Sequence, residues 1–155
     1  MRHCARMQGK HDPTPPSPFE VLFDRAPIPL ALSRLADGKI VAMNDTALAY
    51  VGVDRTRAIG VSGIDIGFVL PGEQAQVVAA FRRDGRVRNL EVTRRSSTGQ
   101  ERVLLLSAEP VIVGGEPCLL GMIVDVTAQR QAEAARQAGD REFEAVLRSE
   151  EHTAE

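Results

Sequence analysis

The segment from Cys118 to Arg136 constrains the fold of this chain more than any other. It starts with the apolar run CLLGMIV and changes, after Asp125-Val126-Thr127, into an alanine-rich stretch of Gln, Arg and Glu. Continuous apolar runs are typical of strands buried on both faces, whereas Ala, Gln, Arg and Glu mixtures are typical of exposed helices. The pattern predicts a core strand that continues directly into a helix leaving the domain. Such a continuous element can transmit a change in the core, which suits a sensor better than an enzyme.

The composition is that of a globular domain with an aliphatic core. Of the 155 residues, 43% are hydrophobic and 26% are charged, but the chain has no Trp and one Tyr. The net charge of −2 predicts no nucleic-acid partner. No apolar run approaches the roughly 20 residues that span a bilayer, so we expect no membrane insertion. Cys4 and Cys118 form no disulfide framework, which favours a cytoplasmic protein.

Cap and turn signals divide the chain into three parts. Residues 1–17 are rich in Pro, Ser and Thr and are predicted to be a disordered tail. Residues 18–126 are predicted to form one domain, and residues 127–155 an outgoing helix with a short tail. The domain begins with Ser17-Pro18-Phe19-Glu20, a combination of N-cap, first-turn Pro and capping-box Glu that predicts a short helix.

Within the domain, turn residues separate five predicted strands. Helical segments lie between the second and third strands, so the pattern predicts an α+β fold with an antiparallel sheet. The last two strands are apolar on both faces, which means that both sides of the sheet need cover. The Phe19 helix, a second subunit or both would supply it. The strands are predicted at residues 30–35, 39–43, 87–95, 101–110 and 117–126.

Several short motifs, in this order and at these spacings, resemble the PAS domain family over roughly Pro18 to Gln137. The resemblance implies a five-stranded antiparallel sheet with helices on one face, a short N-terminal helix, a long C-terminal signalling helix and a small cavity. It also implies a sensory or dimerising role in bacterial signalling proteins, such as histidine kinases of two-component systems or diguanylate cyclases. The motifs are Phe19–Phe23 with Asp24-Arg25-Ala26-Pro27, Asp37-Gly38 before Ile40-Val41 and Asn44, Gly52 with Gly60, Gly85-Arg86-Val87, Thr98-Gly99, Gly114-Gly115, and Asp125-Val126-Thr127 before Arg130.

In this family, the Asp and Thr of a D-x-T motif link the last strand to the signalling helix, and here they would be Asp125 and Thr127. The residues support that link by themselves. Thr127 is a suitable N-cap, and a carboxylate near a helix N-terminus is favoured by about 0.3–1 kcal/mol. Two interpretations stay open: Asp125 and Thr127 relay a signal, or Thr127 only caps the helix.

The outgoing helix carries small and apolar residues at a mean spacing close to the roughly 3.5 residues of a coiled-coil seam. Together with the N-terminal helix, they predict a homodimer. The alternative is a solvated helix, because Ala and Gly bury little area. The dimer-helix candidates are Phe19, Leu22, Phe23, Ala132, Ala135, Phe143 and Val146, with Gly139 inside the seam.

No residue pattern identifies a cofactor, a metal site or a catalytic group. Haem binding in this family generally uses a histidine near the long helix, but His3, His11 and His152 are all terminal, which leaves only Met or Cys ligation. Cysteinyl-flavin photochemistry uses an Asn-Cys-Arg motif, and no Cys occurs between Asn44 and Pro110. The copper-binding pattern of a histidine at the third position is treated as accidental. The carboxylates on the strands have no nucleophile or base beside them, so we predict no enzyme activity.

The predicted pocket is aliphatic. Apolar stripes of this kind usually only pack, which favours a filled core, and the alternative is a cavity for a small apolar or mixed ligand. We therefore predict a sensory and dimerisation module, and expect an effector domain to follow this chain in a longer protein. The alternative is a stand-alone scaffold with a filled core that binds another protein. The pocket candidates are Met43, Val77, Phe81, Leu105, Leu120 and Met122.

Overall fold

One five-stranded antiparallel sheet, with a helical crossover between its second and third strands, carries the fold. The computed structural model describes residues 15–153. The α+β class, the five-stranded sheet, the short first helix and the long last helix are all confirmed. In chain order the elements are α1 (Pro18–Arg25), β1 (Leu30–Arg34), β2 (Ile40–Met43), α2 (Asp45–Val51), α3 (Arg55–Ala58), α4 (Pro71–Asp84), β3 (Val87–Arg95), β4 (Glu101–Val113), β5 (Glu116–Asp125) and α5 (Thr127–Thr153).

The strands lie in the order β2-β1-β5-β4-β3, so the last strand is the central one. Strand β5 pairs along ten positions with β4 and along five with β1. Strand β4 continues past Pro110 to Val113, beyond the predicted end, because it stays paired with β5 up to Glu116. The strand that leads into the last helix is therefore held on both sides.

Helix α1 begins with the predicted capping box. The Ser17 hydroxyl accepts the Glu20 amide hydrogen at 3.2 Å, and the Glu20 carboxylate accepts the Ser17 amide hydrogen at 2.8 Å. Of the predicted disordered tail, residues 1–14 lie outside the described residues, as do His3, His11 and Cys4. Ser17, the last residue of that predicted tail, belongs to the helix start.

Asn44 joins the first hairpin to the helical crossover. Its side chain is fully buried. The Oδ1 atom accepts the amide hydrogens of Ala47 at 2.9 Å and of Leu30 at 3.0 Å, while Nδ2 donates to the Ile28 carbonyl at 3.0 Å. One side chain thus caps α2 and holds the start of β1 against it.

Helix α4 presents only part of the predicted face, because Val77 and Phe81 pack against the core as expected but Val78 does not. The sequence predicts Val77, Val78 and Phe81 as its apolar face, yet Val78 is 38% exposed, while Glu73 and Ala80 are buried. The small Ala80 packs close to the sheet, with Val87 and Ala108 in the same cluster. Glu73 is buried because it meets an arginine of the sheet, described below.

The core lies between the sheet and the crossover helices. It is aliphatic, and its largest fully buried side chains include Ile40, Met43, Leu104 and Ile123. On the opposite face of the sheet, apolar side chains of β4 and β5 such as Leu105 and Val124 are only half-buried. Among residues 15–153, no helix combines the length and the apolarity that crossing a membrane would need.

Replacement of Asn44 by Ala is expected to lower the free energy of unfolding by about 2 kcal/mol, because the α2 cap and two partly buried hydrogen bonds are lost together. Denaturant unfolding followed by circular dichroism measures this. The matched control is Asp54→Ala. Asp54 holds the same N-cap position at α3 but makes no side-chain cap bond. Equal losses in the two variants would contradict the role given to Asn44.

Candidate functional site

A cavity of about 420 Å³ lies between the helix-facing side of the sheet and the elements that cover it. Its floor comes from β1, β4 and β5, and its cover from the 62–69 loop and α4. The rim includes the exposed residues Asp37, Gly38 and Gln74, so the cavity opens to solvent beside the first hairpin. Most of its wall is apolar, including Ala31, Ile40, Phe68, Val77, Leu106 and Ile123.

Phe68 shapes the floor by packing on Gly121 of the central strand. A Cβ atom placed on Gly121 would lie 3.2 Å from Cε2 of Phe68, which is tighter than ordinary van der Waals contact. Glycine at this position therefore lets the ring approach the strand backbone. The Phe68 amide hydrogen is donated to the Gly63 carbonyl at 2.8 Å, which fixes the loop that carries the ring.

A buried ion pair fastens this loop and α4 to the edge of the sheet. Arg94 of β3 and Glu73 of α4 have side chains that are each only 8% exposed. The guanidinium binds both carboxylate oxygens, at 2.9 and 2.7 Å, and also donates to the Phe68 carbonyl at 3.0 Å. A further bond of 3.1 Å runs to the Tyr50 hydroxyl. One arginine thus connects β3, α4, α2 and the loop over the cavity.

The surroundings of Arg94 stabilise its charged form. Burial lowers the pKa of its guanidinium, but the hydrogen bonds and charges of Glu73 and Tyr50 outweigh burial and hold the pKa above its ordinary value. Glu73 is further fixed because it accepts the Leu70 amide hydrogen at 3.1 Å, which caps α4.

The structure brings some of the six predicted pocket residues to the cavity and places others elsewhere. Val77 and Met122 border it. Met43 is packed in the main core cluster, and Phe81 packs against Ala80, Val87 and Ala108. Leu105 and Leu120 are absent from the lining: Leu105 alternates with the buried Leu104 and Leu106, and Leu120 alternates with the lining residues Leu119 and Gly121. This strand alternation directs their side chains to the opposite face of the sheet.

The junction between β5 and α5 is a closed hydrogen-bonded unit. Oδ1 of Asp125 accepts the amide hydrogen of Thr127 at 2.9 Å and its hydroxyl hydrogen at 2.6 Å. The Thr127 hydroxyl in turn accepts the amide hydrogen of Val103 at 2.8 Å. Oδ2 of Asp125 accepts from Nε of Arg102 at 2.9 Å. The first residue of the helix is thus bound to the strand before it and to β4.

This geometry differs from the predicted N-cap. Thr127 is the first residue of α5, and its hydroxyl binds β4 rather than a helix amide. At the start of the helix, the Thr127 amide hydrogen is donated to the Asp125 carboxylate instead. The first turn of the helix is also tied to β3, because Arg130 pairs with Glu91 at 2.7 Å.

Asp125 is held in its charged form. Burial raises the pKa of its carboxyl, but the hydrogen bonds from the Thr127 hydroxyl and amide, together with Arg102, outweigh burial and leave the pKa below its ordinary value.

Beyond the junction, α5 leaves the domain. Its side chains from Ala128 to Glu151 are all exposed, and Phe143 and Val146 are 65% and 54% exposed. In α1, Phe19 and Leu22 are 53% and 72% exposed, but Phe23 is buried and stacks on Phe19 with ring centroids 5.7 Å apart. The remaining seam candidates Ala132, Ala135 and Gly139 lie along the same exposed helix.

Sequence reasoning missed Glu73, Arg94 and Arg102, although one signal was present. Leu90, Val92 and Arg94 share one face of β3 by strand alternation. An arginine at an inward position requires a buried partner, and a carboxylate on the covering helix is the expected one. Within the part of the chain that the structure describes, no three His, Cys, Asp or Glu side chains come together as a metal site.

Comparison with known proteins identifies the fold. A family model described as the PAS fold matches residues 23–131. No curated protein matches the sequence. Solved structures that match include the PAS domain of an HTR-like protein from Haloarcula marismortui, at 22% identity and a TM-score of 0.51, covering 80% of this chain and 98% of that one.

Two further matches come from light sensors. An RNA-binding Light-Oxygen-Voltage receptor matches at 15% identity and a TM-score of 0.59, over 85% of this chain and 42% of that one. The LOV domain of a blue-light activated histidine kinase from Erythrobacter litoralis matches at 19% identity and a TM-score of 0.50, over 66% and 99%. At these identities the similarity concerns the fold.

The junction is expected to make stability depend on acid. Because the pKa of Asp125 is depressed on folding, its contribution is present at neutral pH and is lost as the pH falls below about 4. Asp125→Asn should therefore cost most stability at neutral pH, and its unfolding free energy should converge with that of the wild type in acid. Thr127→Val removes one donor to the Asp125 carboxylate. It should therefore reduce the difference in unfolding free energy between neutral and acid pH. Parallel wild-type and Asp125→Asn profiles in urea unfolding between pH 2 and 7 would contradict this account.

Proposed function

The chain belongs to the PAS fold family, and we propose that it works as a cytoplasmic sensory and dimerisation module. In this proposal the state of the cavity is relayed through α5 to an effector, such as a histidine kinase or a diguanylate cyclase. The observation that supports it most is the junction at Asp125 and Thr127, where the exit helix is bound to the strand that forms the cavity floor. The proposed role is regulatory rather than catalytic.

The relay depends on the position of β5. This strand contributes Gly121 and Ile123 to the cavity wall and ends at Asp125, which binds the first residue of α5. Thr127 is bound at the same time to Val103 of β4. A small shift of β5 against β4 would therefore strain these bonds and change the direction in which α5 leaves the domain.

The cavity chemistry favours an uncharged ligand with an apolar body. Its volume falls within the roughly 300–1,000 Å³ of small-molecule sites. Asp37 is the single charged residue among those that line it, and its carboxylate is already bound by Arg34 and the Lys39 amide. An anionic ligand would meet no cation there, and burying an unpaired charge is costly. Ser33 and Gln74 offer neutral polar contacts. Cys118, which a cysteinyl-flavin adduct would have to use among the described residues, lies outside the lining.

A second copy of this chain is the proposed partner for the exposed helices. Helix α5 is 27 residues long, and its residues from Ala128 to Glu151 are exposed. Most helical stability in proteins comes from packing of an apolar face, so this helix would gain stability from a partner. Its apolar residues Phe143 and Val146, and Phe19 and Leu22 of α1, are available for the contact.

The scaffold alternative also has one observation in its favour. Ile112 of β4 is 69% exposed near the tip of the last hairpin, where another protein would find an apolar contact. A scaffold, however, makes no use of the cavity, so ligand binding separates the two functions.

Decan-1-ol is expected to bind the cavity at least about tenfold more tightly than decanoate, because both have the same apolar chain but only decanoate carries an anionic head. Isothermal titration calorimetry measures both affinities. Hydrogen exchange in the presence of decan-1-ol should change along α5, and Thr127→Val should reduce that change.

Val78→Phe tests the location. Val78 lines the cavity and is partly exposed, so a larger side chain there can reduce the cavity volume without clashing with the core. It should abolish decan-1-ol binding, whereas Val113→Phe, equally exposed but outside the lining, should not. Failure of both probes to bind would favour the scaffold, and tighter binding of decanoate would refute the ligand class.

Phe143→Glu is expected to weaken the dimer at least about tenfold, since a carboxylate in an apolar seam loses its water. Gln137→Glu introduces the same charge on the same helix outside the proposed seam and should leave association unchanged. Sedimentation equilibrium measures both. A wild-type chain that stays monomeric at every concentration would refute the dimer.

A further inference from the structure

Two arginines face each other at the end of the sheet where the cavity loop and the exit helix both attach. Arg94 of β3 and Arg102 of β4 are direct partners in the strand register. Directly opposite residues lie on the same face, with Cβ atoms roughly 5 Å apart. Two positive charges at this spacing destabilise a strand pair unless each is neutralised.

Each arginine has its own carboxylate, and the two carboxylates come from different elements. Arg94 binds Glu73 of α4 in a bidentate pair that is almost fully buried. Arg102 binds Asp125 at the end of β5 at 2.9 Å, with both side chains 38% exposed. Glu73 and Asp125 therefore neutralise two like charges that face each other across one strand pair.

The two ion pairs attach to opposite ends of the proposed relay. On one side, Arg94 also donates to the carbonyl of Phe68, whose ring packs on Gly121 of the cavity floor. On the other side, Asp125 binds the amide and hydroxyl of Thr127, the first residue of α5. The covalent path between the two ends is long, but the register brings them together through Arg94 and Arg102.

We propose that these two ion pairs form one coupled unit, in which Arg94 is a positioning residue that connects the cavity loop to the exit helix. When Glu73 loses its charge, Arg94 is no longer neutralised and repels Arg102. This repulsion pushes Arg102 away from Asp125, and the hydrogen bonds between Asp125 and Thr127 weaken. A ligand that displaces Phe68 would move the Phe68 carbonyl, which accepts a hydrogen bond from Arg94, and would act on the same unit in this way. This inference rests on the proposed function and names the route by which it is regulated.

A double-mutant cycle in the full chain tests the coupling. Glu73→Gln keeps the side-chain oxygen that caps α4 but removes its charge, and should lower the urea midpoint. Arg102→Gln removes the charge that faces the unpaired Arg94. The urea midpoint of the double variant should therefore fall by less than the sum of the decreases in the two single variants. Arg95→Gln is the matched control: Arg95 neighbours Arg94 on β3 but is exposed on the other face, so its cycle with Glu73→Gln should be additive.

Hydrogen exchange gives a readout that simple loosening of α4 does not change. Glu73→Gln should speed exchange of the Thr127 amide several-fold, whereas Ala79→Gly, which loosens the same helix at an exposed position outside the cavity lining, should not. Coupling is reciprocal. Asp125→Asn should therefore speed exchange of the Leu70 amide, which is donated to Glu73.

The proposal would be overturned if the midpoint losses are additive in both cycles, if Thr127 exchange is equal in Glu73→Gln and Ala79→Gly, and if Leu70 exchange is unchanged in Asp125→Asn. That result would leave the cavity and the junction as independent sites. The ligand and dimer measurements would still test the proposed function, because neither involves Arg94 or Arg102.

Discussion

The ion pair between Arg94 and Glu73 is the contact on which the arrangement around the cavity depends. Much of the contact between the sheet and its helical cover is aliphatic packing, which has no directional preference. At the β3 edge Arg94 adds directional contacts, because its donors reach a helix N-terminus, a loop carbonyl and a tyrosine hydroxyl at once. Removing one partner of a buried pair leaves an uncompensated charge that typically costs about 3–5 kcal/mol. The ion pair therefore fixes α4 and the Phe68 loop, which cover the cavity, against β3.

The central strand provides the second half of the arrangement. Strand β5 is paired on both sides, so it cannot move without disturbing β1 or β4. Its end is bound by a backbone bond, from the Val126 amide to the Val103 carbonyl at 2.9 Å, and by side chains: the Thr127 hydroxyl donates to Asp125 and accepts from Val103. Side-chain bonds of this kind are easier to rearrange than a strand ladder. A strand that is paired on both sides and ends in side-chain bonds is compatible with the proposed relay through α5.

Prediction from sequence succeeded where the signal was local and failed where it needed a partner. The capping box at Ser17 involves residues three apart, and the structure has it as predicted. The apolar face of α4 was assigned wrongly at Val78, because apolar periodicity cannot register that a charged residue, Glu73, is the one turned inward. Leu105 and Leu120 are apolar enough for a pocket, but only strand pairing decides which face of a sheet they share.

What the sequence alone determined is the order and type of the elements and the continuity of the last strand with the last helix, since turns, caps and apolar periods are properties of neighbouring residues. The tertiary structure decided which side chains enclose the cavity and what the Thr127 hydroxyl binds. It also decided that Arg94 faces Arg102. These facts depend on residues far apart in the chain, such as Val103 and Thr127, whose meeting is set by the register of the sheet and not by any local preference.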